Sequence, residues 1–549
     1  MTPTTGTIAR GKLSPTPRAS RMVTVFALIG TAAARAAGVA ALLVLAAVPA
    51  QAQIGASPAA PSISEGGVAN PTPASPAAGA AAPPADAPPP AVPAASSDVV
   101  SRLDELDQIA RIASRKHELL EEEAAKRAKE AAVTTVDEKG LVVKSGDGAY
   151  VLKIRALLQI DGRFFLDDDA LQDRDTILIR KFRPTIEGTL FGLVDYRFTP
   201  DFAGGVAQVF DAYVDVHPAP WLRLRLGKAK APLGLERLQG DQDLPFIERA
   251  LDQNLTTARE VGALLWGDIA GGIVNYTVGI VNGGPDGTQL DVDTNHAKDF
   301  VGRVFFQPFK AEGLRELGEL GVGIAGSTGN RKGLPQVGTT AATPGLPSFR
   351  TFGQNTFFSY LAPAADPAGT GTVFAHLRSS RINPQLYYYN GPIGLQGEYV
   401  WARQSVQKGN DTATFTHHAA HGTASFVING KNGYDGVTPA VPFDLAKGAL
   451  GALEIAARYA WLKVDLDTFP FPAATGVPSF ADPLRSARVA QSFAGAINYV
   501  PRRSFRLSLD FEQTRFTGGA AGAAVATGPR PIVDRKTENV IGASAQVHF

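Results

Sequence analysis

The chain has 549 residues, no cysteine, two methionines and a formal net charge of +1, and 19% of its residues are charged. The missing cysteines exclude a disulfide framework, thiolate metal sites and cysteine nucleophiles, and the balanced charge excludes a bulk attraction to nucleic acid. A soluble protein of this length should carry several long amphipathic helices, yet beyond about residue 135 almost none can be read.

At the N-terminus, Arg10, Lys12, Arg18, Arg21 and Arg35 precede the apolar run Gly38–Ala50, and Ala50-Gln51-Ala52 has the small-x-small form of a cleavage site. This predicts an export signal peptide over 1–52 and a mature start near Gln53, with Met22 as an alternative to Met1 for the start of translation. The run is too short for a membrane-spanning helix, which needs about 20 residues. No later segment has 18 consecutive apolar residues, so any membrane spanning falls to strands.

Residues 53–97 are Ala, Pro, Ser and Gly with hardly a charge, a composition that predicts a disordered linker. The following segment, 98–132, is dense in Glu, Lys, Arg and Ala and lacks Gly and Pro. Val99, Leu103, Leu106, Ala110, Ala113 and Leu120 fall on alternating spacings of four and three, with His117 interrupting, and Ser97 is placed to act as N-cap. The spacing predicts a helix with a weak, Ala-rich coiled-coil seam, either an oligomer stalk or a lone solvated helix.

From about Val136 to Phe549 the pattern becomes strands separated by turns. Trp221–Gly227 sets Leu222, Leu224 and Leu226 against Arg223 and Arg225. In Ile179–Leu190, Lys181, Arg183, Thr185, Glu187 and Thr189 oppose Phe182, Ile186 and Leu190. In Ser504–Phe516, four apolar residues oppose Arg506, Ser508, Asp510 and Glu512. Period-two alternation gives one apolar and one polar face per strand. Short connections alternate with long Gly- and Pro-rich ones (232–260, 329–349, 405–416, 430–447, 517–534). The last ten residues, VIGASAQVHF, alternate up to the terminal Phe549, the form of an outer-membrane assembly signal. The predicted fold is all-β: a transmembrane antiparallel β-barrel of about 16 (16–18) strands over 136–549, apolar outside and lined by Arg, Lys and Glu within. Trp221, Trp266, Trp401 and Trp461 suit interfacial girdles.

The segments DYRFTPDFAGG (195–205), DAYVDV (211–216), RLGKAKAPLGLERLQ (225–239), FIERAL (246–251), AREVGALLWGD (258–268) and KDFVGRVFFQPF (298–309) resemble the phosphate-selective porin O/P family of Gram-negative outer membranes. The resemblance covers roughly 140–549 and implies a homotrimer of barrels of about sixteen strands. It implies a third external loop folded into the lumen, basic side chains that draw small anions, phosphate or polyphosphate among them, through the constriction, and assembly through Phe549.

On this chain the inward loop falls at Ala231–Glu260. Candidate anion-conducting residues are Lys181, Arg183, Arg223, Arg225, Lys228, Lys230, Arg237, Arg249 and Arg259. Lys228 and Lys230 have the opposite parity to Arg225 unless Gly227 makes a bulge. Glu236, Asp241, Asp243, Glu248, Asp252 and Glu260 lie in the same block, so Arg237 and Arg249 are either free to attract anions or paired as scaffold.

Other constellations point less far. His417, His418 and His421 suggest a solvated loop or strand start rather than a metal site. Asp291, Asp293 and Asn295 have calcium-loop spacing, but His296 stands where that loop needs Gly. No cofactor, metal or catalytic motif is predicted, and the expectation is a passive channel in the outer membrane rather than an enzyme. The alternatives are a plugged barrel serving as a stalk-tethered structural or adhesin protein, and an outer-membrane barrel hydrolase.

Overall fold

The computed structural model describes residues 97–549 apart from 139, 167–173, 290–292, 294–295, 311–316, 338–340, 365, 367, 471–478 and 525–529. The predicted signal peptide (1–52), nearly all of the linker (53–96) and two of the calcium-loop candidates, Asp291 and Asn295, lie outside the described residues.

One unit is a 34-residue helix, Ser97–Glu130. Its apolar stripe is uncovered, with Leu103 and Leu106 60% and 61% exposed. Pairs one turn apart, such as Arg111–Asp107 at 2.8 Å, brace it.

The other unit is built of strands. A hairpin, β1 (Val133–Asp137) and β2 (Gly140–Lys144), leads into β3 (Val151–Phe165), β4 (Thr176–Leu190), β5 (Val194–Asp201), β6 (Gln208–Ala219) and β7 (Leu222–Lys230). Then follow β8 (Arg259–Ile269), β9 (Val274–Val281), β10 (Asp299–Phe306), β11 (Leu320–Lys332) and a loop hairpin of β12 (Ser348–Arg350) and β13 (Thr356–Ser359). Next come β14 (Val373–Asn390), β15 (Ile393–Lys408), β16 (Asp411–Ile428) and the two-residue β17 (Gly430–Lys431) and β18 (Thr438–Pro439). The chain ends with β19 (Ala452–Lys463), β20 (Ala487–Arg502), β21 (Phe505–Ala521), the short β22 (Ile532–Asp534) and β23 (Glu538–His548).

Antiparallel pairing runs β3 through β11, β14 to β16, β19 to β21, then β23, sixteen strands in all. β23 pairs back onto β3 from Val540↔Phe165 to His548↔Leu157, so the sheet is a closed barrel with no free edge among these sixteen. Phe549 completes the seam: its N–H donates to Ala156 O and its carbonyl accepts from Ala156 N, both at 3.1 Å. Beyond that point β2 takes over the same edge of β3, pairing Leu141 with Ile154.

The outer wall is apolar, with Ile177, Phe300 and Phe493 more than half exposed. The inner face carries the buried charges. β3–β11, β14 and β15 are joined at one end by the tight turns at 191–193, 220–221, 270–273 and 391–392 and by the longer 307–319, and at the other by 166–175, 202–207 and the long segments 231–258, 282–298 and 333–372. The alternation of loop lengths breaks at 409–410, where a two-residue turn joins β15 to β16 at the long-loop end. The predicted loop 405–416 is therefore mostly strand, because Thr412–Phe415 pair with Gln404–Gln407. At the short-turn end, 429–451 is long and folds inward.

The lumen is not uniformly polar. Val400, Ala402, Val406, Phe415, Ala419, Ala460 and Leu462 make its inner wall apolar on β15, β16 and β19. The β12–β13 hairpin covers that wall with Phe349, Phe357 and Phe358, all fully buried. Burying these rings on aliphatic side chains satisfies both surfaces inside an otherwise wet barrel.

Candidate anion-conducting lumen

The loop 231–258 leaves β7, crosses the barrel and returns to β8. Its path is set by polar groups of the far wall that accept or donate to its main chain. Asn383 Oδ1 accepts from Gly234 N at 2.9 Å, and the Glu398 carboxylate accepts from Leu235 N and Glu236 N at 2.7 and 2.9 Å. Asp510 Oδ2 accepts from Ile247 N, and Asn498 Nδ2 donates to Pro245 O, each at 2.7 Å. Arg458 bridges Glu236 Oε1 of the loop (3.2 Å) and Glu512 Oε2 of the wall (2.9 Å). Gly234, at φ +79°, is where the loop enters the helical turn Leu235–Leu238, a conformation that costs glycine little.

On the near wall, Glu248 Oε1 accepts from both Arg163 and Arg180 at 2.7 Å. Burial alone would raise this carboxyl, but the two guanidinium groups pull it down to about 2. Asp241 is likewise held well below the usual carboxylate range, against its burial, by Arg249, Lys181 and Arg183.

The nine sequence-predicted residues fall into three groups. Arg223 donates to Asp195 Oδ2 at 2.7 Å and Arg225 to Asp215 Oδ2 at 2.8 Å, and both stack on Trp266. Trp266 is thus a lumen residue, its Nε1 donating to Asp215 at 3.0 Å, and not part of an outer girdle. Arg183 pairs with Asp201 at 2.6 Å and also with Asp241, while Arg259 pairs with Asp211 at 2.9 Å. These two guanidiniums lie 3.5 and 3.4 Å from the centroid of the same ring, Phe210. Arg249 pairs with Asp241, the scaffold alternative.

Of the other four, Lys181, Lys230 and Arg237 have no carboxylate within ion-pair distance among the described residues. Lys230 Nζ donates to Leu238 O and Gln239 O at 3.1 and 2.7 Å; Arg237 donates to Gln253 O at 2.7 Å. Lys228 donates to Val209 O at 2.7 Å, and Lys181 is buried on β4.

Two cavities flank the loop. One, of about 160 Å³, is bordered by Arg155, Arg183, Arg197, Lys230 and Arg259 with Asp211 and Asp241. The second, of about 350 Å³, is bordered by Arg225, Lys230, Arg303 and Lys310 with Asp268. Lys230 lines both. Arg155, Arg197 and Arg303 were missed in the sequence, although β10 alternates cleanly: Phe300, Val304 and Phe306 are outside, and Val301 and Phe305 are buried.

The histidine cluster is strand, not solvated loop. His417 and His421 are buried inward-facing residues of β16. His421 Nδ1 lies 2.8 Å from Asp252 Oδ1 and 4.0 Å from Glu398 Oε1. The Glu398 oxygens already accept from Leu235 N, Glu236 N, Gln253 Nε2 and Asn383 Nδ2. With those lone pairs used, the trio is a latch that holds the loop rather than a cage for a cation.

Among solved structures, the fold is similar to an anion-selective porin from Comamonas acidovorans at 12% identity and a TM-score of 0.44, covering 73% of this chain and 100% of that one. It is also similar to the outer membrane channel DcaP of Acinetobacter baumannii at 10% identity and 0.44, covering 74% and 99%. OmpT, an outer membrane protein of Vibrio cholerae in a trimer form, is similar at 11% and 0.44, covering 73% and 100%. No curated protein matches the sequence. The family profile described as phosphate-selective porin O and P matches residues 152–518. That span runs from the second residue of β3 into β21 and takes in the whole inward-folded loop, and the chain belongs to the phosphate-selective porin O and P family.

Proposed function

We propose that this outer-membrane porin is a passive diffusion channel for small anions, with phosphate and polyphosphate as the solutes its family points to, and that it is not an enzyme. The observation that carries the reading is Lys230. It borders both lumen cavities, and among the described residues its Nζ donates to main-chain carbonyls and has no carboxylate at ion-pair distance. A fixed positive charge in a narrow, low-dielectric passage concentrates anions and repels cations. Lys181 and Arg237 add to the same field, while Arg183, Arg223, Arg225, Arg249 and Arg259 pass anions along a wall of paired charges. Purified protein should give stepwise conductance in planar bilayers.

The β12–β13 hairpin on the apolar inner wall favours a second reading, a plugged barrel in which 53–132 is the working part. A barrel that inserts and never conducts would support it.

We further propose a homotrimer with the short-turn end and residues 98–132 in the periplasm. Three helices held close by their barrels gain an effective concentration that a weak seam lacks alone. Trimers should therefore persist in cross-linking after removal of 53–132, and monomers in that variant would refute this order of causation.

A further inference from the structure

The cavity of about 350 Å³ has two unlike banks. On one, three basic side chains donate to neutral groups. Arg303 donates to Gln385 Oε1 at 2.9 Å and Asn275 Oδ1 at 3.3 Å, and Lys310 to Gly272 O at 3.3 Å and Gln307 Oε1 at 3.2 Å. Lys230 is the third. All of these acceptors are neutral. Asp268 also borders the cavity and accepts from Asn275 Nδ2 at 3.0 Å.

The other bank is aromatic. Phe305, Tyr387 and Tyr434 form a continuous strip, with centroids 5.0 Å apart for the first pair and 5.2 Å for the second, where the rings stack at 24°. Tyr434 belongs to the inward-folded segment 429–451, and its hydroxyl donates to Leu235 O of the crossing loop at 2.7 Å. The strip therefore runs from the wall to the loop, with Arg303 over the Phe305 ring at 4.4 Å. Trp266 closes the cavity beside Arg225.

A hydrated inorganic ion gains from the cations alone. A solute with a carboxylate on a flat apolar body gains from both banks at once, because ring faces reward stacking that a bare ion cannot offer. We propose that this cavity is a subsite for aromatic carboxylates, which the channel takes in preference to aliphatic or inorganic anions of the same charge. The inference rests on the anion-channel reading above.

The test uses chloride current through single channels of the full-length protein, with benzoate or acetate added as competitor. Benzoate should halve the current at about three- to tenfold lower concentration than acetate, the range expected of one ring stacking on another. Tyr434→Leu should bring the two within about twofold, while Tyr434→Phe, which keeps the ring and loses only the bond to Leu235, should retain the gap. Phe305→Leu, on β10, gives the same readout independently of the inward segment. Chloride current with equal potency of benzoate and acetate would overturn the subsite and leave the anion channel standing. A gap unchanged in both Leu variants, or lost in Tyr434→Phe, would also overturn it. Absence of any chloride current would overturn the channel reading and the subsite together.

Discussion

Arg225 and Lys230 lie five residues apart on β7, an odd spacing that strict alternation would send to opposite faces, yet both line the same cavity inside the barrel. The switch sits at Gly227, whose φ is +123°, opposite Gly262 of β8. The pairing register of β7 with β8 runs through it unbroken from Arg223↔Trp266 to Lys230↔Arg259. The glycine pair thus does what a bulge would do, turning the side chains over without adding a residue. It brings Lys230 under the loop while leaving Arg223 and Arg225 nearer the short-turn end.

Gly227→Ala should therefore damage the barrel more than its size suggests. An added Cβ would lie 2.3 Å from Ala212 O, and the backbone conformation alone costs a non-glycine residue about 1–3 kcal/mol. The temperature at which the folded band disappears on SDS gels should fall. Gly422→Ala, on β16 with nothing within 4 Å of the new methyl, is the matched control and should leave that temperature unchanged.

The Glu248 clamp sets an acid limit. Its carboxyl is held at about 2 against an ordinary value of 4.5, so its contribution to stability is full above about pH 4.5 and is lost as pH falls towards 2. A depression of that size corresponds to about 3 kcal/mol. Glu248→Gln should be less stable at neutral pH, leaving Arg163 and Arg180 without their shared carboxylate. Its thermal unfolding should also change less than the parent's between pH 4.5 and 2. Equal pH slopes would remove Glu248 from the clamp.

The hairpin over the apolar wall should limit flow. Phe349 and Phe358 stack at 4.9 Å and are fully buried, and truncating a buried Phe to Ala costs about 3–5 kcal/mol. In Phe349→Ala/Phe358→Ala the hairpin should leave the wall and single-channel conductance should rise. Unchanged conductance would place the hairpin outside the path of ions.

Much of the barrel was legible because period two is local. The inward set Lys181, Arg183, Arg223, Arg225, Arg506, Asp510 and Glu512 follows from alternation alone. The route of the loop followed only from family resemblance, since its anchors Asn383, Glu398, Asn498 and Asp510 lie more than 100 residues away in the chain. Trp266 was misplaced because an aromatic near a strand end suggests a girdle, whereas here Asp215, Arg223 and Arg225 hold its ring in the lumen. His417 and His421 were misread because the short turn at 409–410 put strand where polar residues suggested loop. The inward course of 348–359 depends on an apolar wall contributed by three other strands, and no local pattern announces it.

Arg223→Glu/Arg225→Glu should shift ionic selectivity towards cations. Each new carboxylate would face an existing one, Asp195 or Asp215, in a passage where like charges are poorly screened. Bilayer currents of this variant with the parent's selectivity would mean these two side chains do not border the conduit.

In the proposed channel, basic side chains at the crossing loop with no carboxylate partner make the lumen select anions. The reversal potential of the native protein in a planar bilayer, under a gradient of potassium chloride, tests this most directly. The expected sign gives chloride the higher permeability. A reversal potential at zero, or one that favours potassium, would contradict it.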